Sequence, residues 1–222
     1  IGPDALIVQD FGVVRMVQEF FPNLAVHAST QMNVADADAC NLLAKEGLKR
    51  VVLSRELSLA EIRDIKSKSN VELEVFIHGA LCVSESGLCL FSSFLGGKSA
   101  NRGQCTQACR RLYTADTATG EKSGYFFSPY DLQFVDFVPD LIEAGVSSFK
   151  IEGRMKSAEY VGAVTAAYRF LIDNYRQDKK GAIATAKRIL AGDFARKKTA
   201  YFLFWLAYRA RGKGKSGLHF YH

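Results

Sequence analysis

The chain lacks most of the features that fix a function on sight. No apolar run approaches the roughly 20 residues that span a bilayer, so no transmembrane segment is expected. Residues 1–20 have no basic start, apolar core or small-residue cleavage site, so no secretory signal is read there. A cytoplasmic protein with reduced thiols is the expectation. H-E-x-x-H and G-x-S-x-G are both missing, which removes the usual helical zinc-protease site and the serine-hydrolase elbow. Acidic residues almost vanish after position 177. Residues 178–222 hold eleven Lys or Arg against only Asp178 and Asp193.

That last shortage changes how the net charge is read. The total of +6 is the sum of +9 in residues 178–222 and −3 in residues 1–177. The main body is therefore not basic, and a pI near 9.0 is weak evidence for a nucleic-acid partner. The same tail carries an aromatic run, Tyr201–Tyr208, beside Arg209, Arg211, Lys213 and Lys215. Such a run could lie on a membrane surface. The favoured reading is a non-native terminus. With 222 residues, 48% hydrophobic and 23% charged, the composition is globular and supports one core.

Cysteine is what the chain has in unusual arrangement. Cys82, Cys89, Cys105 and Cys109 follow C-x6-C-x15-C-x3-C in a stretch rich in Gly and Ser. A loop of that composition can bring four thiolates together, and thiolates suit zinc or an iron–sulfur cluster. Zinc sites usually show two tight cysteine pairs. Only Cys105 and Cys109 are close, which favours a cluster. Disulfides and inert buried thiols are the alternatives. Cys40 stands alone in a helical pattern and reads as core.

Short apolar runs alternate with helical patterns. Strands are expected at Ala5–Val8, Leu24–His27, Arg50–Leu53, Val71–Ile77 and Ser148–Ile151. Helices are expected at Gly12–Phe20, Asp36–Glu46 (closed by Gly47), after Ser58 with Glu61 completing a capping box, at Asp136–Ala144 and at Ser157–Tyr175. A small hairpin is expected from Arg111–Thr114 and Tyr125–Phe127 around Thr119-Gly120. Repeated βα units imply a parallel sheet. The fold class is read as a (β/α)8 barrel with about five of eight strands, truncated at the front, and with a cysteine-rich insertion at 79–130. An open five-stranded sheet is the alternative. Residues 1–177 form the domain and 178–222 the tail. In a barrel the strand ends share one rim, which pools Gln9, Asp10, His27, Gln31, Arg55, Glu56, His78, Glu152 and Arg154 with the cysteine loop.

Residues 74–92, Glu-Val-Phe-Ile-His-Gly-Ala-Leu-Cys-Val-Ser-Glu-Ser-Gly-Leu-Cys-Leu-Phe-Ser, closely resemble the signature of the collagenase-like peptidases, peptidase family U32. Glu74, Phe76, Gly79, Ala80, Leu81, Cys82, Gly87, Cys89 and Ser92 fit it, and Phe91 stands where an aliphatic residue is usual. Val8–Asp10, His27–Met32, Leu53–Leu57, Ser99–Cys105 and Lys150–Met155 resemble further motifs of the family. The resemblance spans roughly residues 1–177 and implies about three more βα units at the front. It also implies one of two activities. The family name says protease of unassigned catalytic type. Some bacterial branches instead support hydroxylation of tRNA wobble uridine, of a ribosomal RNA cytidine or of ubiquinone precursors, and those branches resemble iron–sulfur proteins.

The expected function is thus iron–sulfur-dependent hydroxylation of tRNA or rRNA. Cys82, Cys89, Cys105 and Cys109 would hold a [4Fe–4S] cluster, with Cys40 in reserve as fourth ligand and zinc as the alternative metal. His27, Arg55, Glu56, His78, Glu152 and Arg154 are the candidate catalytic residues. Gln9, Asp10, Gln31, Arg102, Arg110 and Arg111 are the candidate substrate-binding residues. The arginines could clamp a phosphate or a carboxylate bidentately. The tRNA branch resembles a prephenate-dependent one, so prephenate is a candidate co-substrate. A peptidase acting on a peptide substrate is the alternative, and an inactive fragment the next.

Overall fold

The computed structural model describes residues 2–154, 156–192 and 198–200. Four strands alternate with three helices from the start: β1 Ala5–Val8, α1 Phe11–Phe20, β2 Ala25–Ala28, α2 Ala37–Lys45, β3 Arg50–Val52, α3 Leu59–Lys68 and β4 Glu72–Gly79. Each helix begins on a side chain that accepts an otherwise orphaned backbone N–H. Asp10 accepts from Val13, and Asp36 from Ala39. Ser58 and Glu61 form the expected reciprocal capping box. Gly47 has φ of +87° and closes the turn after α2.

β1, β2, β3 and β4 lie side by side and parallel. The chain then leaves the sheet through a short helix α4 (Phe91–Phe94) and a two-stranded hairpin, β5 Tyr113–Thr117 and β6 Gly120–Gly124. It returns through β7 Asp131–Gln133, α5 Val138–Glu143 and β8 Ser148–Ile151. β8 pairs parallel with β4, while β7 runs antiparallel to the last residues of β4. Two long helices follow, α6 Ala158–Asn174 and α7 Lys179–Leu190, and then β9 Lys198–Thr199 beside β7. The result is a mixed α/β protein on a largely parallel sheet. No helix among the described residues is long and apolar enough to cross a membrane.

The core is one continuous cluster between the sheet and its helices. Val8, Val26, Val51, Leu73, Val75 and Ile77 meet Val14, Leu43, Ile62, Leu141, Val164 and Leu171 there. Side chains of that size are worth about 1.5–3 kcal/mol each when fully buried. The opposite face of the sheet is polar. Strand register places Ile7, His27 and Arg50 on it, then Glu74, Phe76, Ser148 and Lys150.

Three expectations differ from the structure. The hairpin sits at 113–124, inside the positions expected for its strands, because Thr117 pairs directly with Gly120 across a two-residue turn. Residues 178–222, expected as a tail, contain α7, whose Ala182, Ala186 and Leu190 join the same buried cluster. The aromatic run Tyr201–Tyr208 lies outside the described residues.

Candidate functional site

All five parallel strands end at one cleft. Gln9 follows β1, Ser29 to Gln31 follow β2, Arg55 follows β3, Ala80 to Cys82 follow β4, and Glu152 and Arg154 follow β8. The cleft has a volume of about 940 Å³. Its outer wall is the loop between β4 and the hairpin, which contributes Cys82, Cys89, Cys105 and Cys109 together with Asn101, Arg102 and Arg110. Ligands of parallel α/β sheets commonly bind outside the carboxyl ends of the strands.

Several contacts hold the cysteine loop over the strand ends. The Glu56 carboxylate accepts from Ser86 N at 2.9 Å and from the Ser86 hydroxyl at 3.0 Å. Ser86 is completely buried, and its hydroxyl also accepts from Arg55 N at 3.2 Å. Arg110 donates to the carbonyls of Leu81 at 2.5 Å and Pro129 at 2.6 Å and to the Ser128 hydroxyl at 2.9 Å. Asn101 accepts from Cys89 N at 3.2 Å, and Ser92 accepts from Thr106 N at 3.1 Å. Phe91, Tyr113 and Phe127 stack edge and face, with centroids 5.2–6.1 Å apart, beneath the loop.

Two glycines permit the close approaches. Gly79 has φ of +107°, and a Cβ there would lie 2.2 Å from the Glu152 carbonyl oxygen. Gly87 has φ of +76°, and its Cβ would lie 2.5 Å from the Gln31 carbonyl oxygen. Any side chain at either position would push the loop off the strand ends.

The four loop thiols share one electrostatic environment. Burial pushes the Cys109 thiol up; Arg110 opposes this, and Cys82, Cys105 and Cys89 add to the rise. Gln107 N points at Cys105 Sγ at 3.4 Å, an N–H to sulfur contact that suits a thiolate. All five cysteines are unpaired. Among the described residues, no three His, Cys, Asp or Glu side chains are gathered tightly enough to hold a metal ion as they stand. The donor set itself fits a soft metal or a cluster, being four thiols around one cleft with an arginine beside them. Cys40 belongs elsewhere. It is fully buried in the core, and burial followed by Asp36 raises its thiol to about 11.

The remaining predicted site residues divide sharply. Gln9, Gln31, Arg55, Arg102, Arg110, Glu152 and Arg154 line the cleft. Asp10 caps α1 instead, and Glu56 is the strap on Ser86. Arg111 is exposed outside the cleft lining. His27 lies lower on the polar sheet face, where burial and then Arg50 hold it below its ordinary 6.5. His78 points away from the cleft. The register of β4 against β8 shifts between Phe76 and His78, so His78 turns toward the helices and its Nδ1 meets the Tyr168 hydroxyl at 3.1 Å.

Phe76, Lys150, Asn101 and Thr30 also line the cleft, although the sequence reading did not choose them. Lys150 had a readable signal: it stands two residues before Glu152 in a strand, hence on the same face. Its Nζ lies 2.9 Å from Glu74 Oε1, and Glu74 also accepts from Ser148 at 2.9 Å and Arg50 at 3.4 Å. Burial would raise the Glu74 carboxyl, but Lys150, Ser148 and Arg50 outweigh it and hold it below its ordinary 4.5.

The fold and cleft define a mixed α/β protein that carries a four-thiol loop over the ends of its parallel strands. The family model of Peptidase family U32 matches residues 1–210, and the chain belongs to that family. It is 42% identical over 187 residues to the tRNA hydroxylation protein P1 of Bacillus subtilis, covering 80% of this chain and 44% of that protein. It is 42% identical over 188 residues to the 23S rRNA 5-hydroxycytidine C2501 synthase of Escherichia coli, covering 83% and 28%. It is 37% identical over 187 residues to a collagenase of Porphyromonas gingivalis, covering 77% and 44%. The chain thus spans less than half the length of these curated relatives. No solved structure matches it.

Proposed function

We propose that this chain is the cluster-binding part of an RNA-hydroxylating protein, acting on tRNA or rRNA in the cytoplasm. The modification of wobble uridine to 5-hydroxyuridine is the type we favour. Cys82, Cys89, Cys105 and Cys109 would hold a [4Fe–4S] cluster, and the sheet would be an arc of a (β/α)8 barrel. The reading is carried by one observation: all four loop cysteines line the cleft at which all five parallel strands end. Relatives named for tRNA and rRNA hydroxylation support it. A bound cluster supplies one-electron chemistry, which peptide hydrolysis does not need.

The protein's own residues have other tasks. Arg102 and Arg154 face the cleft and suit phosphates, or a dicarboxylate co-substrate such as prephenate. Glu152 fixes the turn carrying Arg154, since its carboxylate accepts from Arg154 N at 2.7 Å. Arg110 is spent on three loop contacts and supports the wall. The peptidase alternative keeps the support of the relative named collagenase. Among the described residues, however, no histidine lines the cleft to serve as a base.

The test is iron and acid-labile sulfide per chain after anaerobic reconstitution. About four of each is expected. Cys82→Ser and Cys105→Ser should lose them while keeping the parent's circular dichroism. A folded parent that takes up no iron would overturn the cluster, and stoichiometric zinc in its place would turn the reading to a structural metal site.

A further inference from the structure

Two polar atoms in the cleft wall have no partner. Gln31 Oε1 and Arg55 Nε are both buried without a hydrogen bond. Both side chains line the same cleft, on the neighbouring strand ends of β2 and β3. An unpaired buried donor or acceptor is costly, and native sites that tolerate one usually pair it with something that arrives later.

Both residues are held from behind. Gln31 sits in a 3-10 turn, where its backbone N–H reaches the Ser29 hydroxyl at 3.2 Å and its carbonyl is pressed against Gly87. Arg55 N is fixed on Ser86 Oγ at 3.2 Å, and one terminal guanidinium nitrogen reaches the Ser84 carbonyl at 3.4 Å. That leaves an acceptor from one strand end and a donor from the next, both facing the cleft.

A ligand that satisfies both must carry an N–H and an acceptor oxygen on one edge. A trans peptide fails, because its N–H and C=O point in opposite directions. Uracil succeeds, because N3–H and a ring carbonyl lie side by side. We infer that Gln31 and Arg55 read the Watson–Crick edge of an unstacked uracil-type base: N3–H donates to Gln31 Oε1, and Arg55 Nε donates to the adjacent carbonyl. The inference rests on the RNA reading above and names the moiety that enters the cleft. A base paired in a duplex has this edge occupied, so the substrate must be single-stranded or flipped out at this point. Arg102 and Arg154 in the same cleft suit its flanking phosphates.

The experiment measures binding of the full chain to a short single-stranded oligonucleotide carrying one uridine, and to the same strand with N3-methyluridine. Methylation removes the N3–H donor and nothing else on that edge except space. In the parent, methylation should weaken binding by about tenfold or more. In Gln31→Ala the methylation penalty should vanish. Arg55→Lys keeps the charge but lacks Nε, so it should weaken uridine binding while the methylation penalty remains. Equal urea midpoints for parent and variants exclude a folding artefact. A missing penalty in the parent, or an unchanged penalty in Gln31→Ala, would overturn the inference and leave RNA binding standing. Binding of neither oligonucleotide would overturn the RNA reading as well. A peptide that competes with the uridine strand and loses affinity in Gln31→Ala would assign the pair to a peptide amide instead.

Discussion

Glu56, in the loop after β3, holds Ser86 of the cysteine loop by two hydrogen bonds, one to its N–H at 2.9 Å and one to its hydroxyl at 3.0 Å. Glu56→Ala would leave both donors of a fully buried serine unpaired. A cost of about 2–3 kcal/mol is expected, seen as a lower urea midpoint with unchanged slope. Ser86→Ala should cost less, because the N–H bond survives. The double variant should be no worse than Glu56→Ala, since the two residues act as a unit. Additive losses would mean that Glu56 has work beyond this strap.

The Glu74 network gives a pH dependence with a definite sign. The carboxyl is held below its ordinary 4.5 in the folded chain by Lys150, Ser148 and Arg50, against the opposing effect of burial. A depressed carboxylate contributes stability that is complete above its unfolded value and is lost as pH falls through the folded one. Stability should therefore fall as pH drops below about 4.5, the ordinary glutamate range. Glu74→Gln should flatten that fall in a urea titration. It should also cost about 2 kcal/mol at pH 7, because Lys150 and Arg50 keep their charges while only partly exposed.

Thiol labelling should separate the five cysteines by environment. Cys105 is exposed, Cys82, Cys89 and Cys109 are half-buried, and Cys40 is buried with its thiol raised to about 11. Alkylation follows thiolate fraction and access. In the metal-free folded protein at pH 8, Cys105 should label first, the other three loop thiols later, and Cys40 only on unfolding. Reconstitution with iron should protect the four loop thiols and leave the Cys40 rate unchanged. Labelling of Cys40 at the rate of the loop would show that the core around α2 opens.

Gly79 and Gly97 both have positive φ, at +107° and +63°, so both disfavour a side chain. They differ in their surroundings. A Cβ at Gly79 would strike the Glu152 carbonyl at 2.2 Å, while one at Gly97 meets nothing within 4 Å. Gly97→Ala should cost about 1–2 kcal/mol, the ordinary left-handed penalty. Gly79→Ala should cost at least about 3 kcal/mol, because the end of β4 can no longer lie against the turn after β8. Equal costs by thermal or urea unfolding would show that the crossing is looser than the structure places it.

The difference between what the sequence carried and what it did not follows physical lines. β1 to β4 and β8 were legible because each is a short apolar run that ends in polar residues, and their pooled ends do form the cleft. Capping at Ser58 and closure at Gly47 were legible because those rules are local. β7 was not, because three residues held against the end of β4 have no periodicity of their own. α7 was hidden by its charge: Lys179, Lys180, Lys187 and Arg188 mask the alanines that pack. Asp10 and Glu56 are polar strand-end residues like Gln9 and Arg55, yet a cap and a strap use the same side chains as a site. Only the contacts separate them.

His78 shows the same limit and yields the sharpest discrimination between the two activities. It stands at a strand end beside the cysteine loop, which is where a general base would be sought. The register shift before it turns the ring into the helical layer, against Tyr160 and Tyr168 and fully buried. A residue there shapes the end of β4 and does not meet a substrate in the cleft. His78→Ala should therefore destabilise the protein by about 2–4 kcal/mol through a cavity and an abandoned Tyr168 hydroxyl. Reconstituted iron per folded chain should be unchanged at low temperature. Tyr168→Phe should reproduce the polar part of that loss. Casein or gelatin cleavage that survives Cys82→Ser but disappears in a folded His78→Ala would reverse this assignment. It would make His78 the base of a peptidase and the cysteines its scaffold.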